Sequence, residues 1–306
     1  MSQNFKEKKH IYLDHPVLFG LGCLVVYYFL FYFFIFQICS FSVSFSTEAL
    51  NSYLAAGWVQ VAAFTLGFKA VMGKEYVIGF TGKKLAKCLI LGWIFIPISL
   101  YNLSIGAENP SWYLYLSVTA VQNALVSGAS TAMAEEVLCR GVIAGNMIRV
   151  WGSKPKGLYA VMLVSSLMFG SMHALYMTEA GFSAGIFWQI ANTFAMGLVF
   201  AAMYMRTRNI LGVALVHGLV DFAGFLGRAG YERPDMALAK LSNSVAAAAI
   251  VSDCVNIVIC VAVAFYLVRP AKQAEIKALW NLGCRNKKEM EKNKADVSVL
   301  PQTARA

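Results

Sequence analysis

The chain has 306 residues, 58% of them hydrophobic and 14% charged, with a net charge of +10. Soluble domains run at about 45–50% apolar and about 25% charged, so this composition excludes a disordered chain and argues against a soluble enzyme. The cations fall between apolar runs, so the positive balance points to membrane topology and not to nucleic acid.

A membrane span needs about 20 predominantly apolar residues. Eight segments meet that pattern, roughly 17–39, 54–72, 85–106, 114–148, 158–178, 183–205, 210–227 and 245–268. The first follows a polar stretch and lacks a small-residue cleavage site, so it reads as a retained span and not a signal peptide. The fourth is too long for one simple crossing. Its small-residue stretch, Ser127-Gly128-Ala129-Ser130-Thr131, is the expected break between an interfacial piece and a spanning piece. The tail after Arg269 is basic and polar, with Trp280 as an interfacial anchor, and is expected to touch anionic membrane lipid.

Eight crossings from a cytoplasmic N-terminus sort the cations sharply. One side receives Lys6, Lys8 and Lys9; Lys69, Lys74, Lys83, Lys84 and Lys87; Arg149, Lys154 and Lys156; Arg206 and Arg208; and the tail cations. The other side receives only Arg228, Arg233 and Lys240. That bias predicts both termini in the cytoplasm. The seven cysteines (Cys23, Cys39, Cys88, Cys139, Cys254, Cys260, Cys284) form no CxxC and lie mostly inside apolar runs. Neither a disulfide framework nor a zinc ribbon follows from them.

Seven ionisable residues fall within the predicted spans: Glu135, Glu136, Arg140, His173, His217, Asp221 and Asp253. A charge at the centre of a spanning helix costs roughly 2.5–3.5 kcal/mol on insertion scales. Such groups must pair, lose their charge or line a wet cavity, and are functional candidates by default. Three pairs are four residues apart: Glu136 with Arg140, Phe169 with His173, His217 with Asp221. On a helix each pair shares one face. Glu135 lies about 100° around from Glu136, which leaves it freer to act as a base.

The run Ala134-Glu135-Glu136-Val137-Leu138-Cys139-Arg140-Gly141 resembles the EExxxR motif of the CPBP family of intramembrane proteases, which includes CAAX proteases and Abi or bacteriocin-processing members. Phe169-Gly170-Ser171-Met172-His173 resembles its second motif, FxxxH. His217-Gly218-Leu219-Val220-Asp221 resembles its third, HxxxN or HxxxD. The resemblance implies an all-α, polytopic integral membrane protein of about eight spans. Its organisation would be a tail with three spans over 1–112, a protease core over 113–228, a last loop and span over 229–268, and a basic cytoplasmic tail over 269–306. The membrane would be the plasma or inner membrane of a bacterium or the endoplasmic reticulum of a eukaryote.

The implied activity is endopeptidase cleavage of a membrane-associated protein or peptide, prenylated or bacteriocin-like. Glu135 would be the base and His173 its water-binding partner. His217 would polarise the carbonyl, Glu136 and Arg140 would form the supporting pair, and Asp221 would assist. Asp221 stands where the prenyl-protease branch carries Asn, which questions an oxyanion role at that position. A metalloprotease reading would make Glu135, His173 and His217 a zinc site with one open position. HExxH, GxSG and GxGD signatures are all absent.

Blander readings stand beside these. Glu136–Arg140 can be a structural ion pair, and each intramembrane histidine a helix–helix hydrogen-bond partner. Phe169 reads as packing beside His173, and Asp253 with Asn256 as polar packing. Gln122, Asn123, Gln189 and Asn192 either line a cavity or join helices. His10 and His15 read as solvated. A non-proteolytic scaffold of the same fold, or a transporter with a proton relay, are the rival functions.

Overall fold

The structure, a computed structural model, describes residues 11–41, 48–72, 76–107, 116–175, 184–227 and 243–282, with side chains over 11–30, 57–72, 76–104, 116–174, 186–227 and 250–282. Lys6, Lys8, Lys9, His10, Lys74, Arg228, Arg233, Lys240, Cys284 and the tail cations beyond it lie outside the described residues. His15 is exposed.

All described secondary structure is helical: α1 (Ile11–Asp14), α2 (Pro16–Phe41), α3 (Glu48–Met72), α4 (Leu85–Leu91), α5 (Phe95–Ala107), α6 (Val118–Glu136), a π-helical segment (Val137–Ala144), α7 (Gly145–Trp151), α8 (Gly157–Met172), a 3-10 turn (His173–Leu175), α9 (Ala184–Thr207), α10 (Ile210–Gly227), α11 (Asn243–Leu267) and α12 (Pro270–Leu279). Each of the eight apolar runs is mainly helical over its described residues. Among the described residues, three stretches are long and apolar enough to cross a membrane: Ile186–Thr207, Ile210–Gly227 and Ile250–Leu267. The pair Leu85–Leu91 and Phe95–Ser104, bent by 60°, makes a fourth if it counts as one span. Pro16–Leu30, Gly57–Met72 and Gly157–Met172 are shorter apolar helices. The bend lies at Gly92–Ile94, between the two helices. Pro97, in the first turn of α5, has no N–H with which to bond back across that gap.

The expected break at Ser127–Thr131 is not there. α6 runs unbroken through it, and the small residues serve close packing instead. A methyl group on Gly128 would lie 2.9 Å from the Phe222 nitrogen and 3.1 Å from the Gly218 carbonyl of α10. Small residues let two helix backbones approach where no hydrophobic force from water drives them together. The irregularity comes further on, where α6 passes into the π segment immediately after Glu136. All eight π residues are buried. The segment touches α2, α3, α7, α8, α9 and α10 and forms the hub of the molecule. Around it, α10 packs on α6 and α5, α9 packs on α8 and α11, and α3 packs on α6 and α2.

The outward faces are apolar. On α11, Val251, Val255, Val258, Ile259 and Tyr266 are exposed. Its inner face carries Asn256, Cys260 and Ala264, and the amide of Asn256 donates to Asn192 Oδ1 on α9 at 3.0 Å. An apolar exterior of this kind, with a polar bond turned inward, suits hydrocarbon and not water.

Two connections tie the helices at one end. Residues 76–80 form an extended strap. The Tyr76 hydroxyl donates to the Gly141 carbonyl of the π segment. The Tyr204 hydroxyl donates to the Ile78 carbonyl at 2.7 Å, and the Ile210 N–H to the Gly79 carbonyl at 3.1 Å. Gly79 has φ +99°, and a methyl group there would collide with the Arg208 carbonyl. At the same end, α12 docks on α9. Glu275 takes a hydrogen bond from Lys87 at 2.9 Å and pairs with Arg206 at 3.4 Å and Lys272 at 3.7 Å. Trp280, expected at the lipid interface, is only 6% exposed. Its indole N–H donates to the Met205 carbonyl at 2.9 Å, and its ring packs edge-on against Tyr204. A satisfied indole and an aromatic neighbour hold it against the protein.

Candidate active site

The three sequence motifs meet at the hub. Glu135 and Glu136 are the last residues of α6, Arg140 lies in the π segment, and His217 and Asp221 come from α10. Glu136 is fully buried, and its Oε1 accepts two bonds of 2.9 Å, one from Arg140 Nη1 and one from His217 Nδ1. A carboxylate acceptor with a guanidinium beside it requires the imidazole to carry its proton on Nδ1. Glu136 therefore sets the orientation of the His217 ring.

The other imidazole nitrogen then faces outward. His217 Nε2 lies 3.5 Å from Asp221 Oδ2 and 3.9 Å from Glu135 Oε2. The Glu135 side chain is 12% exposed and that of Asp221 22%, against 0% for Glu136. The site thus has a sealed floor of Glu136, Arg140 and His217, and a more open rim at Glu135 and Asp221. This division separates the two adjacent glutamates: one is locked in a pair and the other is left facing a nitrogen beyond direct hydrogen-bond distance.

The floor extends past the motifs. Arg140 Nη2 donates to the Gly197 carbonyl of α9 at 3.2 Å. Its guanidinium lies over the Phe169 ring at 4.1 Å and the Phe200 ring at 5.3 Å. A buried guanidinium gains from such aromatic faces as well as from its carboxylate. Phe169 is fully buried and packs as expected, but it does more than line a wall. Its ring sits 5.9 Å from the His173 ring and 5.6 Å from the His217 ring, edge-on to both. His173 itself caps α8 and opens the 3-10 turn. The preceding carbonyl, Met172, accepts from the Tyr28 hydroxyl of α2 at 2.7 Å.

The zinc set does not assemble. Among the described residues no group of three or more His, Cys, Asp or Glu side chains could hold a metal. Glu135, His173 and His217 are thus not gathered as a three-ligand set. Of the secondary candidates, Asn192 joins helices through Asn256, while Gln122 and Gln189 are exposed.

Sequence reasoning missed Gly197 and Phe200. They carry no ionisable group and read as ordinary core residues of apolar helices. Only the pairing of Gly197 with Phe200, three residues apart and so on one face of α9, marks a surface on which a planar charged group could rest.

Residues 117–223 match the family model described as Rce1-like, type II CAAX prenyl endopeptidase Rce1-like. That stretch is an Rce1-like domain; it contains all three motifs and lies inside the segment 113–228. No curated protein and no solved structure matches the chain.

Proposed function

We propose that the protein is an intramembrane endopeptidase that hydrolyses a peptide bond in a membrane-associated protein or peptide. The chain would cross the membrane eight times with both termini in the cytoplasm. Glu135 takes a proton from water while the water oxygen attacks the scissile carbonyl. His173 holds the same water. His217 polarises the carbonyl through Nε2, with Asp221 holding a proton at that nitrogen. The tetrahedral intermediate collapses as the carbon–nitrogen bond breaks, and Glu135 returns its proton to the leaving amine. Glu136 and Arg140 hold the imidazole and take no part in bond making.

The observation that carries this reading is the bond from His217 Nδ1 to Glu136, which leaves Nε2 turned towards Glu135 across 3.9 Å. A single water spans such a gap between an acceptor carboxylate and a ring nitrogen. The Rce1-like match over the same residues supports the reaction class. The substrate class is a prenylated CAAX protein or a bacteriocin-like peptide.

The test is cleavage of a prenylated CAAX peptide and of a mixed peptide library by detergent-purified protein, wild type beside Glu135→Ala. General-base removal is expected to reduce cleavage by about 10²-fold or more, with thermal unfolding unchanged and activity surviving a chelator. Undiminished cleavage by Glu135→Ala would overturn the assignment of the base. Full loss on chelation, with recovery on adding zinc, would overturn the metal-free mechanism.

A further inference from the structure

The His217 imidazole is held in its plane by a stack that no motif marks. The Phe200 ring lies against it at 4.9 Å with 28° between the planes. Phe95, from α5, stacks on Phe200 at 4.6 Å and 25°. Phe169 meets the same imidazole edge-on at 5.6 Å and 86°. Phe95, Phe169 and Phe200 are each fully buried. Phe200 is also one of the two rings under Arg140, the partner of the carboxylate that holds His217 Nδ1.

The imidazole hangs on two side-chain torsions, and the one hydrogen bond at Nδ1 restrains them only softly. Small excursions about them move Nε2 and change its distances to Asp221 and Glu135, 3.5 Å and 3.9 Å. A flat surface parallel to the imidazole removes that freedom, and a second flat surface behind it stops the first from yielding. Aromatic pairs favour offset-parallel arrangements of this kind. We infer that Phe200, backed by Phe95, is a positioning residue: it fixes the plane of the His217 ring so that Nε2 keeps a single direction towards Glu135 and Asp221. The kinetic part of this inference rests on the peptidase reading; the geometric part does not.

The experiment uses the full chain in detergent micelles, labelled with 15N-histidine. Nitrogen–proton correlation spectra show which nitrogen of His217 carries the proton, and relaxation dispersion shows whether the ring exchanges between orientations. The variants are Phe200→Leu, Phe95→Leu and, as a packing control, Val199→Ala, one residue away and about 100° around α9. Wild type and Val199→Ala are expected to give one His217 species without dispersion. Phe200→Leu is expected to give more than one species and dispersion at His217, and Phe95→Leu the same to a smaller degree. In the peptide assay Phe200→Leu should lower kcat about tenfold or more, the effect of a small misplacement of a reacting group, with KM within about twofold.

A single undispersed His217 species in both leucine variants would overturn the inference. So would equal dispersion in Val199→Ala, which would make the effect one of general loosening. If Phe200→Leu does not fold, Phe95→Leu decides. The spectra decide even where no peptide is cleaved, so this inference and the peptidase reading fail separately.

Discussion

Removing Arg140 alone should harm the protein more than removing Arg140 and the charge of Glu136 together. Arg140 is 1% exposed and Glu136 0%, so their bond lies away from any solvent that could rescue a stranded charge. Arg140→Met leaves a buried carboxylate with only the His217 N–H as partner. Breaking a buried pair from one side costs about 3–5 kcal/mol. In the double variant Arg140→Met with Glu136→Gln, the amide oxygen still accepts from His217 Nδ1 and no buried charge remains. The double variant should therefore recover about 2–3 kcal/mol relative to Arg140→Met, a large part of the cost of breaking the pair from one side. Unfolding by denaturing detergent, read by tryptophan fluorescence for the wild type, both single variants and the double, supplies the full cycle. A double variant no more stable than Arg140→Met would refute the reasoning.

Two further outcomes follow from the end of the molecule where α12 docks. Burial alone would raise the Glu275 carboxyl, but the hydrogen bond from Lys87 and the charges of Arg206, Lys87 and Lys272 outweigh it and bring its pKa below the ordinary value. A lowered folded pKa means stability that is fully present above the unfolded value and lost as pH falls through the folded one. The acid limb of thermal stability should flatten in Glu275→Gln, and an unchanged limb would contradict this. Gly79→Ala forces a methyl group towards the Arg208 carbonyl at φ +99° and should cost about 2 kcal/mol or more in an unfolding titration; a variant as stable as wild type would show that the strap does not hold its position.

The legible parts of this molecule were those with a period or a charge. Each apolar run announced a helix, and the limits of 210–227 coincide with α10 because Asn209, accepting from the Gly212 N–H at 2.7 Å, caps it. The three motif pairs were visible because an ionisable residue stands out in an apolar run. Two things were hidden for opposite reasons. The π segment has no composition of its own, so Val137–Ala144 read as more helix, and the break was placed instead at Ser127–Thr131, where small residues mediate contact. The His217 bond was hidden by its length in sequence. Its neighbour Asp221, four residues away, was the obvious partner, yet Nδ1 goes to Glu136, 81 residues earlier. Spacing along one helix shows which side chains share a face; it does not show which other helix that face meets.

The strap at 76–80 bears on how much of the chain makes a working unit. The stretch that matches the Rce1-like family starts at residue 117, yet three of its backbone and side-chain groups find their partners before that point. A fragment cut at 113 would leave the Gly141 carbonyl, the Tyr204 hydroxyl and the Ile210 amide without those partners. The leading helices are therefore part of the same cooperative body and not an attachable anchor. During synthesis, moreover, residues 76–80 leave the ribosome well before Tyr204 and Ile210, so the early helices must wait in an unfinished state until α9 and α10 arrive to close it.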